Sequence, residues 1–283
     1  GPAVVAALRL ADQVTGHDSE PERYEMPSAW PPPARELVQR PFAGLITSWG
    51  CPYRCTYCAS SRLHPAFVQR EPTTVVSEIG ACLSRGIHHL AFYDDALLVN
   101  ADQHLVPILK EVIDHGWQTS FHTPNGLHAG AVTPSLAVWM RRAGFVTVRL
   151  SLETIDLARQ RRTGGKVTLD QFERAVWDLR AAGFRAGELG AYVLAGLPDQ
   201  PLSEVEETVR FVHRCGVQAQ LALFSPIPGT PDGDRALPPQ TDPLWHNDTV
   251  YPYRLGDEYV RELQRIKQLA KEGNQALKRR NGP

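Results

Sequence analysis

Six short apolar runs alternate with six amphipathic stretches along most of this chain, and that alternation constrains the fold more than any other feature. The strand candidates are Gly44–Trp49, His89–Asp94, Thr119–Thr123, Val146–Leu152, Gly190–Ala195 and Gln218–Phe224. Between them, apolar residues recur at helical spacing, as in Val75, Val76, Ile79 and Leu83, or Leu105, Ile108, Leu109 and Val112. Helices are expected over residues 73–85, 102–115, 134–143, 169–182 and 203–214, with a charged helix over 257–280. Repeated strand–helix units predict an α/β protein with a parallel sheet and helices outside it. Six units allow an open doubly wound sheet or a partial barrel. In either, functional side chains belong after the carboxyl ends of the strands.

At 42% hydrophobic and 22% charged, the 283 residues can bury a core, and the formal net charge of −1 supplies no global field toward nucleic acid or membrane. No apolar run approaches the length of a membrane span. Residues 1–41, with Pro31-Pro32-Pro33 among them, read as an N-terminal arm or linker that opens on a short helix over Ala3–Ala11. Residues 42–231 hold the alternating core, and 232–283 form a C-terminal extension.

Five cysteines are an odd number, and three lie within eight residues, in Gly50-Cys51-Pro52-Tyr53-Arg54-Cys55-Thr56-Tyr57-Cys58. Clustered, unpaired thiols point to a metal and to a reducing compartment, the cytoplasm. The loop directly follows the first strand. Three thiolates can hold three corners of a [4Fe-4S] cubane and leave one iron open to a ligand. The alternative is a zinc-binding interaction module, but structural zinc usually takes four protein ligands. Cys82 and Cys215 stand alone on helices and are expected to fill core space.

The loop, with Tyr57 before the third cysteine, resembles the signature of the radical S-adenosylmethionine (SAM) superfamily, and the resemblance runs from about Pro41 to Pro231. It implies a (β/α)6 partial TIM barrel. It also implies one [4Fe-4S] cluster on Cys51, Cys55 and Cys58, and reductive cleavage of SAM to a 5′-deoxyadenosyl radical that abstracts hydrogen from a substrate. An electron donor such as flavodoxin or ferredoxin is implied as well.

The resemblance also suggests SAM contacts after successive strands. Asp94 and Asp95 stand where relatives carry an acid for the SAM amino group. Asn125 lies in the turn after the third strand. Ser151 and Glu153 close the fourth strand, the acid suited to the ribose. Lys166, with Arg162 as the second choice, suits the SAM carboxylate. Tyr192 lies on the fifth strand where some relatives have an acid, a departure that weakens its assignment to ribose. His122 and Asp95 are the candidate catalytic residues. Trp245, His246, Tyr251 and Tyr253 are expected either to line a lid over the substrate pocket or simply to pack the barrel mouth.

The segments FYDDALL, FHTPNGL and GLPDQ resemble the branch of the superfamily often fused to an N-terminal cobalamin domain. Only about forty residues precede the barrel here, without an Asp-x-His-x-x-Gly motif, so cobalamin is expected only if an upstream domain exists in the full-length protein. The catalytic part of a cobalamin-dependent methylase or cyclase is the alternative reading. Methylthiotransferases need three further cysteines, and two remain. The substrate, a small molecule or a peptide, is not specified by the sequence. The basic residues Lys267, Lys271, Lys278, Arg279 and Arg280 read as a solvated helix face rather than a nucleic-acid contact.

Overall fold

A computed structural model describes residues 40–280. The arm expected over 1–41 and its helix at Ala3–Ala11 lie outside them, save for Arg40 and Pro41. Six parallel strands form the sheet: β1 (Phe42–Leu45), β2 (His89–Phe92), β3 (Ser120–His122), β4 (Phe145–Glu153), β5 (Leu189–Ala195) and β6 (Gln218–Leu223). Their spatial order equals their chain order, and a seventh short strand, Leu127–His128, pairs with the end of β4. Stepping one strand at a time in one direction is the winding of a barrel, not of a doubly wound sheet whose order reverses.

Helices α1 (Pro72–Leu83), α2 (Leu105–Asp114), α3 (Pro134–Arg142), α4 (Leu169–Ala181) and α5 (Leu202–Arg214) connect successive strands. The helix α6 (Asp257–Arg280) follows β6 and packs on α5 and β6. Local chemistry sets the helix starts. Thr168 and Gln171 form a reciprocal capping box at α4, and Thr133 caps α3 ahead of Pro134.

The core lies between sheet and helices. Phe92, Phe121 and Phe145, from three adjacent strands, are fully buried and meet at ring-centroid distances of 5.1, 5.6 and 5.3 Å. Burying each ring contributes about 1.5–3 kcal/mol. Because Phe121 faces the helices, His122 faces the lumen. A smaller apolar cluster of Leu194, Leu197, Phe224, Leu237 and Tyr251, with Tyr57 and Trp245 against it, ties the segment after β6 to the cysteine loop.

Two elements depart from the sequence reading. The strand expected over Gly44–Trp49 breaks after Leu45, and Ser48–Trp49 pairs antiparallel with Val68–Gln69 instead. Asp94 causes the break: its Oδ1 accepts from Thr47 N (3.0 Å), Thr47 Oγ1 (2.7 Å) and Ser48 Oγ (2.6 Å). Helix α2 begins at Leu105 rather than Asp102, because the buried His104 ahead of it turns its Nε2 to Thr47 Oγ1, 3.0 Å away.

Candidate active site

A cavity of about 350 Å³ opens at the carboxyl ends of the strands. Cys51, Cys55 and Cys58 line one wall; Asp95, Asn125, Ser151, Glu153, Lys166 and Tyr192 line the rest. Residues far apart in the chain thus converge because they lie on, or follow, strands β1 to β5 at one end of the barrel.

The cysteine loop is held from two sides. Thr56 N donates to Thr163 O at 3.3 Å, and Asp232 N donates to Thr56 O at 3.0 Å. The Thr56 hydroxyl also donates to the Asp232 carboxylate. Gly164 has φ +126°, and a Cβ on it would stand 3.3 Å from Cys55 Cα, so the backbone after Thr163 lies directly against the loop. Cys58 Sγ accepts from Ser60 N at 3.4 Å.

Burial pushes the Cys51 and Cys55 thiols up. For Cys55 the nearby Lys166 cation is the main opposing influence; for Cys51 it is a backbone hydrogen bond at Tyr53, followed by Lys166. The donor set fits an iron–sulfur cubane: three thiols on one short loop, facing one cavity, beside a cation that favours thiolate. Cys82 is buried on α1 and packs in the core, and Cys215 closes α5, so neither joins them. Among the described residues, no three His, Cys, Asp or Glu side chains are drawn together as around a single ion.

Lys166 is the hub of the polar lining beside the cysteine loop. Its Nζ donates to Ser151 Oγ at 2.9 Å and lies 5.9 Å from the centre of the Tyr53 ring, which stacks on His128 at 4.5 Å. Ser151 Oγ in turn donates to Gly126 O at 3.2 Å. Glu153 ends β4 in a left-handed conformation, φ +70°, at a register shift against β5. A non-glycine residue there stores roughly 1–3 kcal/mol of strain, a cost met at functional sites. Burial raises its carboxyl, opposed first by Lys166 and then by the Ser151 and Tyr57 hydroxyls. Tyr57 sits deep between Cys55 and Glu153, and burial followed by the Glu153 charge holds its phenol well above the usual range.

The two aspartates separate. Asp95 is exposed to the cavity, whereas Asp94 is buried beneath the cysteine loop and bonded to Thr47 and Ser48; it does not line the cavity. Asn125 Nδ2 donates to Tyr93 O (2.9 Å) and Asp94 O (3.2 Å), fixing the turn beside Asp95. Tyr192 lines the cavity and its hydroxyl donates to Pro124 O. His122 does not line the cavity; it lies in the lumen, bonded to Thr147 and His89. Arg162 is exposed and does not line the cavity, so of the two cations weighed for the SAM carboxylate only Lys166 does. Trp245 packs with Tyr57 and Tyr251 in the smaller cluster, and the His246 ring bonds Pro226 O, while Tyr253 is exposed.

Tyr53, Ser60, Ser61 and Asp232 were not singled out by sequence reasoning. Tyr53 stands inside the cysteine signature, where its aromatic character was the available signal. Asp232 follows the Pro-Gly-Thr turn, and nothing local marks it as a partner of Thr56, 176 positions away.

A parallel partial barrel of six strands, with three thiols after its first strand and a polar cavity across the strand ends, defines an enzyme of the radical SAM type. The Radical SAM superfamily model matches residues 45–212, and the chain belongs to that superfamily. Among curated proteins it is 28% identical over 200 residues to an uncharacterized methyltransferase of Pyrococcus horikoshii, covering 67% of this chain and 41% of that one. It is 26% identical over 192 residues to the GTP 3′,8-cyclase of Marinobacter nauticus, covering 66% of this chain and 54% of the cyclase. The chain thus spans about half the length of these relatives. Among solved structures, the radical SAM methyltransferase TsrM of Kitasatospora setae superposes with a TM-score of 0.61 at 20% identity, covering 69% of this chain and 38% of TsrM. Methylornithine synthase superposes with a TM-score of 0.54 at 13% identity, covering 80% and 61%. These two likenesses concern the fold. Among the described residues, no helix is long and apolar enough to cross a membrane.

Proposed function

We propose that this chain binds one [4Fe-4S] cluster through Cys51, Cys55 and Cys58, and SAM in the adjoining cavity, and uses them to abstract hydrogen from a substrate. Held by Cys51, Cys55 and Cys58, a reduced cluster would supply the one electron needed for reductive cleavage of SAM to methionine and a 5′-deoxyadenosyl radical. The chain's own residues bind and orient. Lys166 holds the SAM carboxylate and is itself aimed by Ser151. Asp95 and the carbonyls beside Asn125 accept from the SAM amino group. Glu153 accepts from the ribose hydroxyls, and Tyr57 and Tyr192 wall the cavity with Leu194.

The carrying observation is the convergence of three thiols and a lysine on one cavity. Residues 42–231 form the catalytic barrel and 232–283 the extension that closes it. An oxygen-sensitive open iron suits the reducing cytoplasm, with a flavodoxin- or ferredoxin-type electron donor.

Anaerobic reconstitution with iron and sulfide tests the reading. Four irons and four sulfides per chain, and 5′-deoxyadenosine released from SAM plus dithionite, are expected. C55A or C58A abolishes both. Bound zinc with no iron uptake, or a full cluster with no 5′-deoxyadenosine, overturns it.

The similarity to the P. horikoshii methyltransferase and the M. nauticus cyclase supports a second reading, the catalytic part of a methylase or cyclase; its cobalamin dependence rests on the FYDDALL, FHTPNGL and GLPDQ segments instead. Transfer of a labelled SAM methyl group to product, dependent on added cobalamin, distinguishes it.

A further inference from the structure

Below the cavity, the barrel lumen carries a second polar layer that the SAM chemistry does not use. A register shift between β3 and β4 sets Thr147 and Arg149 on the lumen side with Ser151. Two residues along a strand place Arg149 about 7 Å deeper than Ser151.

Gly190 on β5 stands opposite Arg149 in the ladder. A Cβ at Gly190 would come within 2.8 Å of Arg149 Cδ and 2.9 Å of Nη1, so the guanidinium lies across bare backbone that only glycine leaves open. With its amide oxygen turned toward the guanidinium, Gln220 on β6 accepts from Nε at 2.9 Å and Nη2 at 3.2 Å. Nη1 reaches Val148 O and Glu188 O only at 3.5 Å each, the outer limit of a hydrogen bond.

Arg149 forms no ion pair among the described residues. The nearby Glu188 carboxylate is taken by Arg141 at 2.9 Å. The neighbours are instead basic or neutral. His122 Nδ1 lies 3.0 Å from Thr147 Oγ1, and its Nε2 lies 3.2 Å from His89 Nδ1, with the two rings stacked at 5.5 Å. Burial lowers Arg149, with the Tyr192 hydroxyl as the opposing influence; burial, then His89, then Arg149 lower His122.

A half-buried guanidinium with no carboxylate is costly, because hydrogen bonds to neutral groups such as Gln220 offset desolvation less than a countercharge does. Its fork retains donors for a planar or tetrahedral anion. We propose that Arg149, aimed by Gln220 and Gly190 and flanked by His122, anchors an anionic group of the substrate, a carboxylate or a phosphate, in the lumen beneath the cavity. The identity of this anion as substrate rests on the radical SAM reading; the anion site itself does not. A molecule held there by its charged end presents its remaining atoms upward, toward Tyr192 and the cysteine wall.

The test follows thermal unfolding of the full reconstituted chain at constant ionic strength. Chloride is exchanged for inorganic phosphate in one arm and for acetate in the other, with acetamide as the neutral control. A saturable rise in the unfolding midpoint is expected with at least one anion, and none with acetamide; the responding arm identifies phosphate or carboxylate. R149Q weakens that response at least tenfold, the equivalent of roughly 1.5 kcal/mol for a lost charge-assisted hydrogen bond. R149K retains part of it. Should R149Q fail to fold in chloride, G190A supplies the second variant, since its methyl group displaces the guanidinium and lowers the response with charge intact. No anion-specific stabilisation in the wild type, or an undiminished response in folded R149Q or G190A, overturns the proposal. Failure of SAM cleavage leaves this readout untouched, so the two readings fail separately.

Discussion

Lys166 meets the cavity from a glycine-flanked loop, and its ammonium is fixed by Ser151 Oγ at 2.9 Å. No carboxylate pairs with it at ion-pair distance among the described residues; Glu153 is its charged neighbour within the cavity. The cation is therefore positioned to accept a ligand carboxylate. K166M is expected to raise the SAM dissociation constant roughly 10- to 100-fold, the range for one hydrogen bond to a charged group. Iron content should stay at four per chain. Equilibrium binding to the oxidised, reconstituted protein measures it, and unchanged affinity sinks the assignment. A second residue sets a pH limit. Burial lowers His104 from 6.5, and the ring bonds Thr47 at the base of the cysteine loop. The unfolded chain then binds a proton at a higher pH than the folded one. Stability contributed by the neutral ring is present above 6.5 and is lost as pH falls from 6.5 toward the lowered folded value. His122, His128 and His213 are lowered too, so the acid slope is shared. H104N should flatten part of that slope in denaturant unfolding measured between about pH 7 and pH 5. An unchanged slope removes His104 from the account.

At the scale of elements, most of the barrel was legible because local pattern and tertiary need agree. The capping box at Thr168 and Gln171 sits where the helical period begins, and β4 alternates from Thr147 to Ser151 as a half-buried strand should. The misread elements are those set by distant partners. Nothing in Gly44–Trp49 announces that Asp94, some 47 positions on, will capture Thr47 and end the strand. The same capture moves Asp94 away from the cavity and leaves Asp95 there. Alternation did place Ser151 and Glu153 on one face, and both line the cavity; what it does not forecast is the register shift and the positive φ with which Glu153 reaches it. The loop from Thr163 to Lys166 joins both kinds of information. Its glycines were visible, while the surface they approach was not. Gly164→Ala combines a φ of +126° with a Cβ 3.3 Å from Cys55 Cα. It should cost about 1–3 kcal/mol and also displace the cysteine loop. Both a lower unfolding midpoint and less iron retained on gel filtration are expected. Gly165→Ala has nothing within 4 Å of its Cβ, with φ +59°, and so serves as the comparison for backbone strain alone. If both variants retain iron equally, the close approach to Cys55 has no bearing on the cluster.

Across the whole molecule, β1 and β6 are the two ends of the strand order and do not pair with each other. An open seam of this kind exposes two strand edges, yet the cavity depends on residues from both sides of it. The cysteine loop itself bridges the gap. It leaves β1, and Thr56 bonds Asp232 through backbone and side chain, while Arg62 reaches Gly229 O, both beyond β6. Asp232 is 5% exposed and holds Arg235 at 3.1 Å as well, so the clasp is a buried, charge-assisted one. The loop that would carry the cluster thus also bridges the seam, and occupancy of the cysteine wall should be linked to the stability of the bridged form. D232A removes the side-chain half of the clasp and leaves the Thr56 hydroxyl without its acceptor, a loss of about 1–3 kcal/mol. For a chain of this size each kcal/mol corresponds to roughly 2–4 °C of melting temperature. The deficit should be larger in apo-protein than after reconstitution, because cluster ligation favours the same closed loop. Parallel melts of apo and reconstituted wild type and D232A measure that coupling. Equal deficits in the two states would mean that the clasp and the cysteine wall act independently.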